Sequence, residues 1–397
     1  MQPIIRRRSR PAATLVVLVL FALLAASALL TTAAAEAERP PRPLFERIVK
    51  TKKIAPGLLY TKIIEKKIPR RTFVLRIDLQ EAITLDVTLS KSRLPARRVV
   101  SDIVRRAGAL AGVNGDYSGP GNPVHPLGQD GELLHTSDQL GTLFAVTRDE
   151  SATFFGKPDL RVTVTDLSAG RVFALDRWNQ GAPAPGEIAG FSPLGGTLEL
   201  PPAYACSVRL LPTTGPVVAA TDGVDRDFVV DVAQCSAETL TRNGGIVLSA
   251  APATDEATQL LALVPGTPMR LHWTLGWTNV FDAVGGAPLM IQDGTLTGQC
   301  KSACGRHPRT GVGVTADGQI LLVVVDGRQK RWSLGPTMSE FARIMRDLGA
   351  VTALNLDGGG SSTMVVNGEV VNRPSDGRER AISNAILILP GPDPGEA

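Results

Sequence analysis

Along the chain, short apolar runs alternate with polar or glycine-rich breaks far more often than they build helical stripes. Residues 58–64, 72–79 and 83–89 read as three strands. The last, Ile83-Thr84-Leu85-Asp86-Val87-Thr88-Leu89, has the strict two-residue alternation of a half-buried strand. Residues 98–107 carry Val99, Ile103 and Val104 opposite basic positions, a helix with one solvated face. That helix leads into a strand at 109–113 and then Asn114-Gly115-Asp116-Tyr117, which alone reads as an Asn-Gly turn. A strand at 141–147 follows. From about 150 to 265 the runs are short (161–165, 227–232, 246–249) and separated by proline and glycine, which predicts a β-rich insertion. Strands resume at 269–275 and 287–291.

The last quarter has the clearest pattern. Residues 309–313 open a strand, Asp317-Gly318 turns it, and Gln319-Ile320-Leu321-Leu322-Val323-Val324-Val325 returns as a buried strand ending at Asp326-Gly327-Arg328. Thr337-Met338-Ser339-Glu340 matches a helix capping box. Met338, Phe341, Ile344, Met345 and Leu348 keep helical spacing, and Gly349 is the expected stop. A strand at 351–354 then reaches Asn355-Leu356-Asp357-Gly358-Gly359-Gly360-Ser361-Ser362 before another strand at 363–366. Three successive glycines admit positive φ and close approach of a ligand, and such a bend can aim N–H groups at an anion. The order strand, helix, strand predicts a parallel return that sets Asp326 beside Asn355 and Asp357 at one sheet edge, with Arg309 and Asp116 reaching the same place. The fold class expected is α+β: a mixed β-sheet core with a few packed helices and the β-rich insertion.

Composition changes this picture little. Hydrophobic content of 43% with 20% charged residues describes a folded globular chain, not a disordered one. Arg6, Arg7, Arg8 and Arg10 lie in a first stretch of 35 residues that has no acid; the remainder balances 38 basic against 38 acidic side chains. No nucleic-acid partner is expected from that balance. The basic start, the apolar run 12–30 and Ala33-Ala34-Ala35 form a secretory signal, or an N-terminal membrane anchor through residues 12–30 if it is not cleaved. Either places the body in a secreted or extracytoplasmic setting. The organisation expected is residues 1–35 signal or anchor, 36–107 an N-terminal β-rich region, 108–389 the main domain holding the insertion, and 390–397 a loose tail.

Four cysteines suit an oxidising compartment. Three pairings are open; proximity favours Cys300 with Cys304 and Cys206 with Cys235, and a zinc site is the weaker alternative because only His307 lies near the first pair. A serine hydrolase is disfavoured at Gly360-Ser361-Ser362, since no Gly-x-Ser-x-Gly elbow exists, and His125, His135, His272 and His307 show no metal-ligand spacing.

Taken in order, Val113-Asn114-Gly115-Asp116-Tyr117, Pro308-Arg309-Thr310, Val325-Asp326-Gly327-Arg328, the Thr337 helix, residues 355–363 and Arg380-Ala381-Ile382-Ser383-Asn384-Ala385 resemble the phosphodiester glycosidase family. Ser118 stands where the family commonly has Phe. The likeness is strong over about 305–389, recognisable at 109–117 and weak between. It implies a hydrolase that cleaves the bond between a sugar anomeric carbon and a phosphodiester phosphate. Asp116, Asp326 and Asp357 are then candidate catalytic carboxylates, because glycoside cleavage passes through an oxocarbenium-like state flanked by carboxylates. A phosphate leaving group needs a cation, which Arg309 and Arg328 can supply as bidentate forks. Asn114, Asn355, Gly358, Gly359, Gly360, Ser361, Ser362, Arg380 and Asn384 complete the expected substrate and phosphate contacts. The expected partner is a sugar phosphodiester or phosphorylated glycan. No cofactor is called for by the sequence, and its motifs do not decide a divalent metal requirement. The alternative is a non-catalytic cell-envelope module that binds phosphorylated glycans through the same loop.

Overall fold

A computed structural model describes residues 47–193, 205–213, 225–235, 244–297 and 304–391. The expected signal or anchor at 1–35, Cys300 and most of the 390–397 tail lie outside the described residues. No helix among the described residues is long and apolar enough to cross a membrane.

The fold is mostly β. Strand makes up 48% and helix 9%, with three helices among the described residues, so the helical part of the α+β expectation shrinks to short covers on sheet faces. Val100–Ala107 buries Val100, Ile103 and Val104, and Met338–Asp347 buries Met338, Phe341, Ala342 and Met345. The capping box forms as the sequence predicts: the Thr337 hydroxyl accepts from the Glu340 N–H at 3.2 Å, and the Glu340 carboxylate accepts from the Thr337 N–H at 3.0 Å. Gly349 follows at φ 102°, where a side chain would be strained.

Four sheets carry the chain. The first has eight strands, in the order Arg47–Ala55, Leu58–Glu65, Arg70–Ile77, Ile320–Val325, Arg309–Thr315, Ala350–Asn355, Leu289–Gln292 and Thr295–Leu296. The second has five: Glu369–Val370, Met364–Val366, Ala111–Asn114, Asn384–Pro390 and Ile83–Leu89. A shared apolar core, including Phe73, Leu75, Leu322, Val324 and Leu354 from the first sheet and Leu85, Val113, Met364 and Ile386 from the second, joins them. A third sheet centres on Val280–Gly286, and a fourth of eight strands runs from Arg161–Asp166 to Pro268–Thr274 in sequence. Every described pairing is antiparallel except that of Arg177–Trp178 with Ile188–Phe191.

The topology corrects one expectation. Ile320–Val325 and Ala350–Asn355 point the same way but are not neighbours. Arg309–Thr315 lies between them, antiparallel to both, with Arg309 opposite Val325 and Gly311 opposite Asn355. Arg70–Ile77 pairs with the other edge of Ile320–Val325, so the strand after the helix takes the free edge of Arg309–Thr315. The carboxyl ends of both flanking strands and the start of Arg309–Thr315 still meet at one sheet edge. Arg47–Ala55 is a strand the pattern did not disclose. It is an edge strand with its first seven residues exposed, so no face of it alternates toward a core.

In the fourth sheet Cys206 lies opposite Cys235 in register, and the two are disulfide-bonded. Cys304 is also disulfide-bonded.

Candidate functional site

The site forms where the edges of the first two sheets are stitched together. Asn114, fully buried at the end of its strand, donates from Nδ2 to the Asp357 carbonyl at 2.7 Å. Its Oδ1 accepts from the Thr310 hydroxyl at 2.9 Å and from the Thr363 N–H at 3.1 Å. Asn384 accepts from the Asp116 N–H at 2.8 Å and donates to the Ser383 hydroxyl at 2.8 Å. The Asp357 N–H donates to the Gly115 carbonyl at 3.1 Å. Each asparagine spends its amide on the protein, so both position the loops that bear the carboxylates. Asn355 likewise directs Nδ2 at the Tyr117 hydroxyl (2.6 Å) and the Ala287 carbonyl (2.7 Å), while its Oδ1 is buried without a partner.

Asp357 opens a turn that continues as a single 3-10 turn, Gly359–Ser361. Burial pushes its carboxyl up to about 6, against bonds from the Ser361 hydroxyl and the Gly358 N–H and the charge of Arg380, which pull it down; the nearby Asp116 charge adds to the rise. Two glycines let guanidinium groups rest on this turn. A Cβ at Gly359, where φ is 63°, would lie 3.1 Å from Arg328 Nη2, and one at Gly360 would lie 2.2 Å from Arg380 Nη2 and from Asp376 Oδ2. Arg380 pairs with Asp376 at 2.7 Å. Arg328 is exposed, holds φ at 61°, and donates from Nε to His307 Nδ1 at 3.2 Å. That backbone conformation is unfavourable for a side chain. It is fixed by the Arg328 N–H on the Leu334 carbonyl and the Gln329 N–H on the Ser333 carbonyl. Arg309 is buried, donates to the Gly305 carbonyl at 2.9 Å, and burial, with the Arg328 charge, lowers its pKa. Burial, then Arg328 and Arg309, lowers His307. Ser362 is buried and accepts from the Thr310 hydroxyl at 3.2 Å.

Asp116 is buried against a histidine that the sequence pattern did not single out. One carboxylate oxygen accepts from the His125 N–H at 2.8 Å, and the other meets His125 Nδ1 at 2.7 Å. The imidazole is clamped between glycines, since a Cβ would come to 2.2 Å from the ring at Gly141 and to 2.6 Å at Gly285. No spacing rule predicts this pair; it depends on two glycines from the third sheet.

Asp326 is different. Its carboxylate accepts from Trp332 Nε1 at 2.7 Å, Asn372 Nδ2 at 3.0 Å and the Arg373 N–H at 3.0 Å, and its own carbonyl accepts from the Ser333 hydroxyl at 2.6 Å. Asn372 continues to the Ser362 carbonyl at 2.9 Å and the Met364 N–H at 2.8 Å. Asp326 thereby ties the 328–334 and 372–373 segments to the Ser362 turn. Burial raises its pKa against those bonds.

Among the described residues, Asp86, Asp130 and Asp282 form a carboxylate group with oxygens within 4.8 Å of one another. Asp282 already accepts from the Asp130 N–H at 3.3 Å. A cavity of about 450 Å³ opens elsewhere, lined by Ser90, Arg98, Arg106 and Glu132 among others. The Asp357 site lies at a sheet edge, with the Arg328 and Arg380 guanidinium groups set against the backbone of its glycine turn.

The glycine turn, its two seated arginines and the carboxylate between them invite comparison with known proteins. Residues 215–389 match the phosphodiester glycosidase family model. The match takes in every candidate from Arg309 to Asn384 and leaves the Asn114–Asp116 loop and His125 outside it. The chain is 40% identical over 83 residues to the SPbeta prophage-derived uncharacterized protein YomE of Bacillus subtilis (strain 168), covering 21% of this chain and 13% of that protein. It is 43% identical over 68 residues to mouse N-acetylglucosamine-1-phosphodiester alpha-N-acetylglucosaminidase, covering 17% and 13%. The chain therefore spans a small part of these curated relatives. Two solved structures share the fold at 20% identity: a hypothetical protein from Synechocystis (TM-score 0.69, 89% of this chain and 64% of that one) and a candidate exported protein of Burkholderia pseudomallei K96243 (TM-score 0.65, 89% and 99%). In this phosphodiester glycosidase-like region Asp357, Arg328, Arg380 and Arg309 converge, Asp116 joins them from the second sheet, and Asp326 stands behind them as a strut.

Proposed function

We propose that the chain is a hydrolase that cleaves the bond between a sugar anomeric carbon and a phosphodiester phosphate. The observation that carries this reading is the placing of Asp357, a half-buried carboxyl raised to about 6, on a glycine turn against which the Arg328 and Arg380 guanidinium groups rest. A simple anion-binding module gains nothing from a buried carboxylate among its cations, because that charge repels the ligand. A hydrolase of this bond needs both signs at once. Arg328 and Arg380 bind the phosphate oxygens, and Asp357 faces the ring carbon where positive charge develops.

In this reaction the Asp357 carboxylate takes a proton from water as the water oxygen bonds to the anomeric carbon. The carbon–oxygen bond to phosphate breaks, and its electron pair leaves on a phosphomonoester stabilised by the guanidinium forks. The products are the free sugar and the phosphomonoester. Asp116 fixes the buried His125 imidazole through Nδ1. The Cys206–Cys235 disulfide and the likeness to a candidate exported protein support an extracytoplasmic place of action.

The test is release of phosphomonoester from a panel of sugar-1-phosphodiesters, run with and without chelator. Turnover of at least one member is expected. Tight binding of the panel with no release from any member, in either condition, would leave the binding-module alternative standing instead.

A further inference from the structure

The charge that balances over the whole body is not evenly spread. Residues 47–77 hold ten lysines and arginines against one acid, Glu65, and Arg70 engages that acid. These residues form the outer three strands of the first sheet, whose order leads inward to Ile320–Val325 and the site edge. Strand register puts Lys50 opposite Lys62, and the two-residue period puts Lys52 on the same face. Ile64 and Arg71 are opposite each other on that face, one step nearer the site. Like charges directly opposite destabilise a strand pair, so this arrangement is unfavourable unless an anion bridges it.

The cations continue toward the site through one aromatic ring. The Arg71 guanidinium stacks 3.6 Å from the Trp332 centroid, Arg373 lies 5.5 Å and the Lys62 ammonium 5.9 Å from the same ring. Trp332 bonds Asp326, and so does the Arg373 N–H. A few residues on, Asp376 and Arg380 lie over Gly360. From Ile320–Val325 to the edge strand is three strand spacings, about 14 Å, which is longer than a single sugar phosphate.

We propose that Lys50, Lys52, Lys62, Arg71, Trp332 and Arg373 form a cationic track for an extended anionic glycan whose repeats are joined by phosphodiesters. The substrate is then such a polymer and not a lone sugar phosphodiester. This rests on the hydrolase reading above. The track supplies sequence-independent attraction to repeated phosphates, and Trp332 gathers three of its cations around one ring.

The test uses the full chain and inorganic polyphosphate as the binding probe. Wild type should bind it with an affinity that falls steeply with salt, and K50E/K52E should bind at least about tenfold more weakly with a shallower salt dependence. Both lysines are exposed on an edge strand, and the milder K50Q/K52Q serves if charge reversal disturbs folding. Hydrolysis of a short sugar-1-phosphodiester should be unchanged in K50E/K52E. Polyphosphate affinity equal to wild type in both double variants overturns the track. So does tighter binding, at equal salt, of duplex DNA or of phosphatidylglycerol vesicles than of polyphosphate. If no phosphodiester is hydrolysed but the lysine variants still lose polyphosphate, the hydrolase reading fails and the track survives.

Discussion

Asp326 and Asp357 end strands that run the same way, one on each side of Arg309–Thr315, yet they live in opposite surroundings. Asp326 has both oxygens occupied, by the Trp332 indole N–H and by the Asn372 amide and Arg373 backbone N–H of a second segment. Asp357 is met by its own turn, through the Ser361 hydroxyl and the Gly358 N–H, and by the field of Arg380. A carboxylate whose acceptors are all spent on loops is a strut. One held by a local turn, with guanidinium groups seated beside it, is free to act on what enters. Burial alone does not separate the two; the origin of the donors does.

The largest effect that sharpens this contrast is on turnover. Asp357→Asn keeps the shape and removes the charge, and should cut kcat by about a thousandfold, on the order of 4 kcal/mol, in the phosphomonoester release assay. Wild-type turnover by that variant would erase the distinction. Asp326→Ala should act on stability instead. It strands the Trp332, Asn372 and Arg373 donors, and a loss of about 3 kcal/mol is expected by urea unfolding. A stability change within about 0.5 kcal/mol would mean those bonds hold nothing.

The opposite sign is expected for the stability of Asp357→Asn. The folded pKa of Asp357 lies above its ordinary value, so the native state binds more protons than the unfolded chain between about 4 and 6. Ionising the buried carboxyl therefore destabilises the wild type progressively as pH rises through that window. The Asn variant should be more stable than wild type by about 3 kcal/mol at pH 8, with the advantage gone below about pH 4. Thermal unfolding across that range reads it, and an advantage that grew toward acid would contradict the burial argument. Smaller still is Arg328→Lys, which keeps charge but loses the fork. A drop of about tenfold in kcat/KM is expected, and no change would mean that a point charge suffices there.

How much of this could be read from sequence follows the same division between local and distant causes. The helix cap at Thr337 and Glu340, the hairpin turn at Asp317-Gly318 and the stop at Gly349 are set within a few residues, and they form as the pattern predicts. The Asp357 turn is local too, which is why three glycines before two serines drew attention. What escaped depends on contacts across the chain. His125 needs Gly141 and Gly285 to clear its ring, and Asp326 becomes a strut only through Trp332, Asn372 and Arg373. The strand Arg47–Ala55 buries no face of its own, so periodicity had nothing to register. The intervening strand Arg309–Thr315 was visible, but its place between the other two is a choice of sheet order that pattern alone leaves open.

In the proposed reaction Asp357 is the group whose ionisation the chemistry uses. The most direct measurement is the pH dependence of kcat/KM for a sugar-1-phosphodiester, compared between wild type and Asp357→Asn. Activity of the wild type should fall about tenfold per pH unit below an inflection near 6, the value to which burial raises this carboxyl. In the Asn variant the residual activity should lack that inflection. An inflection near 6 that persists in Asp357→Asn would assign the ionisation to another group and contradict the account.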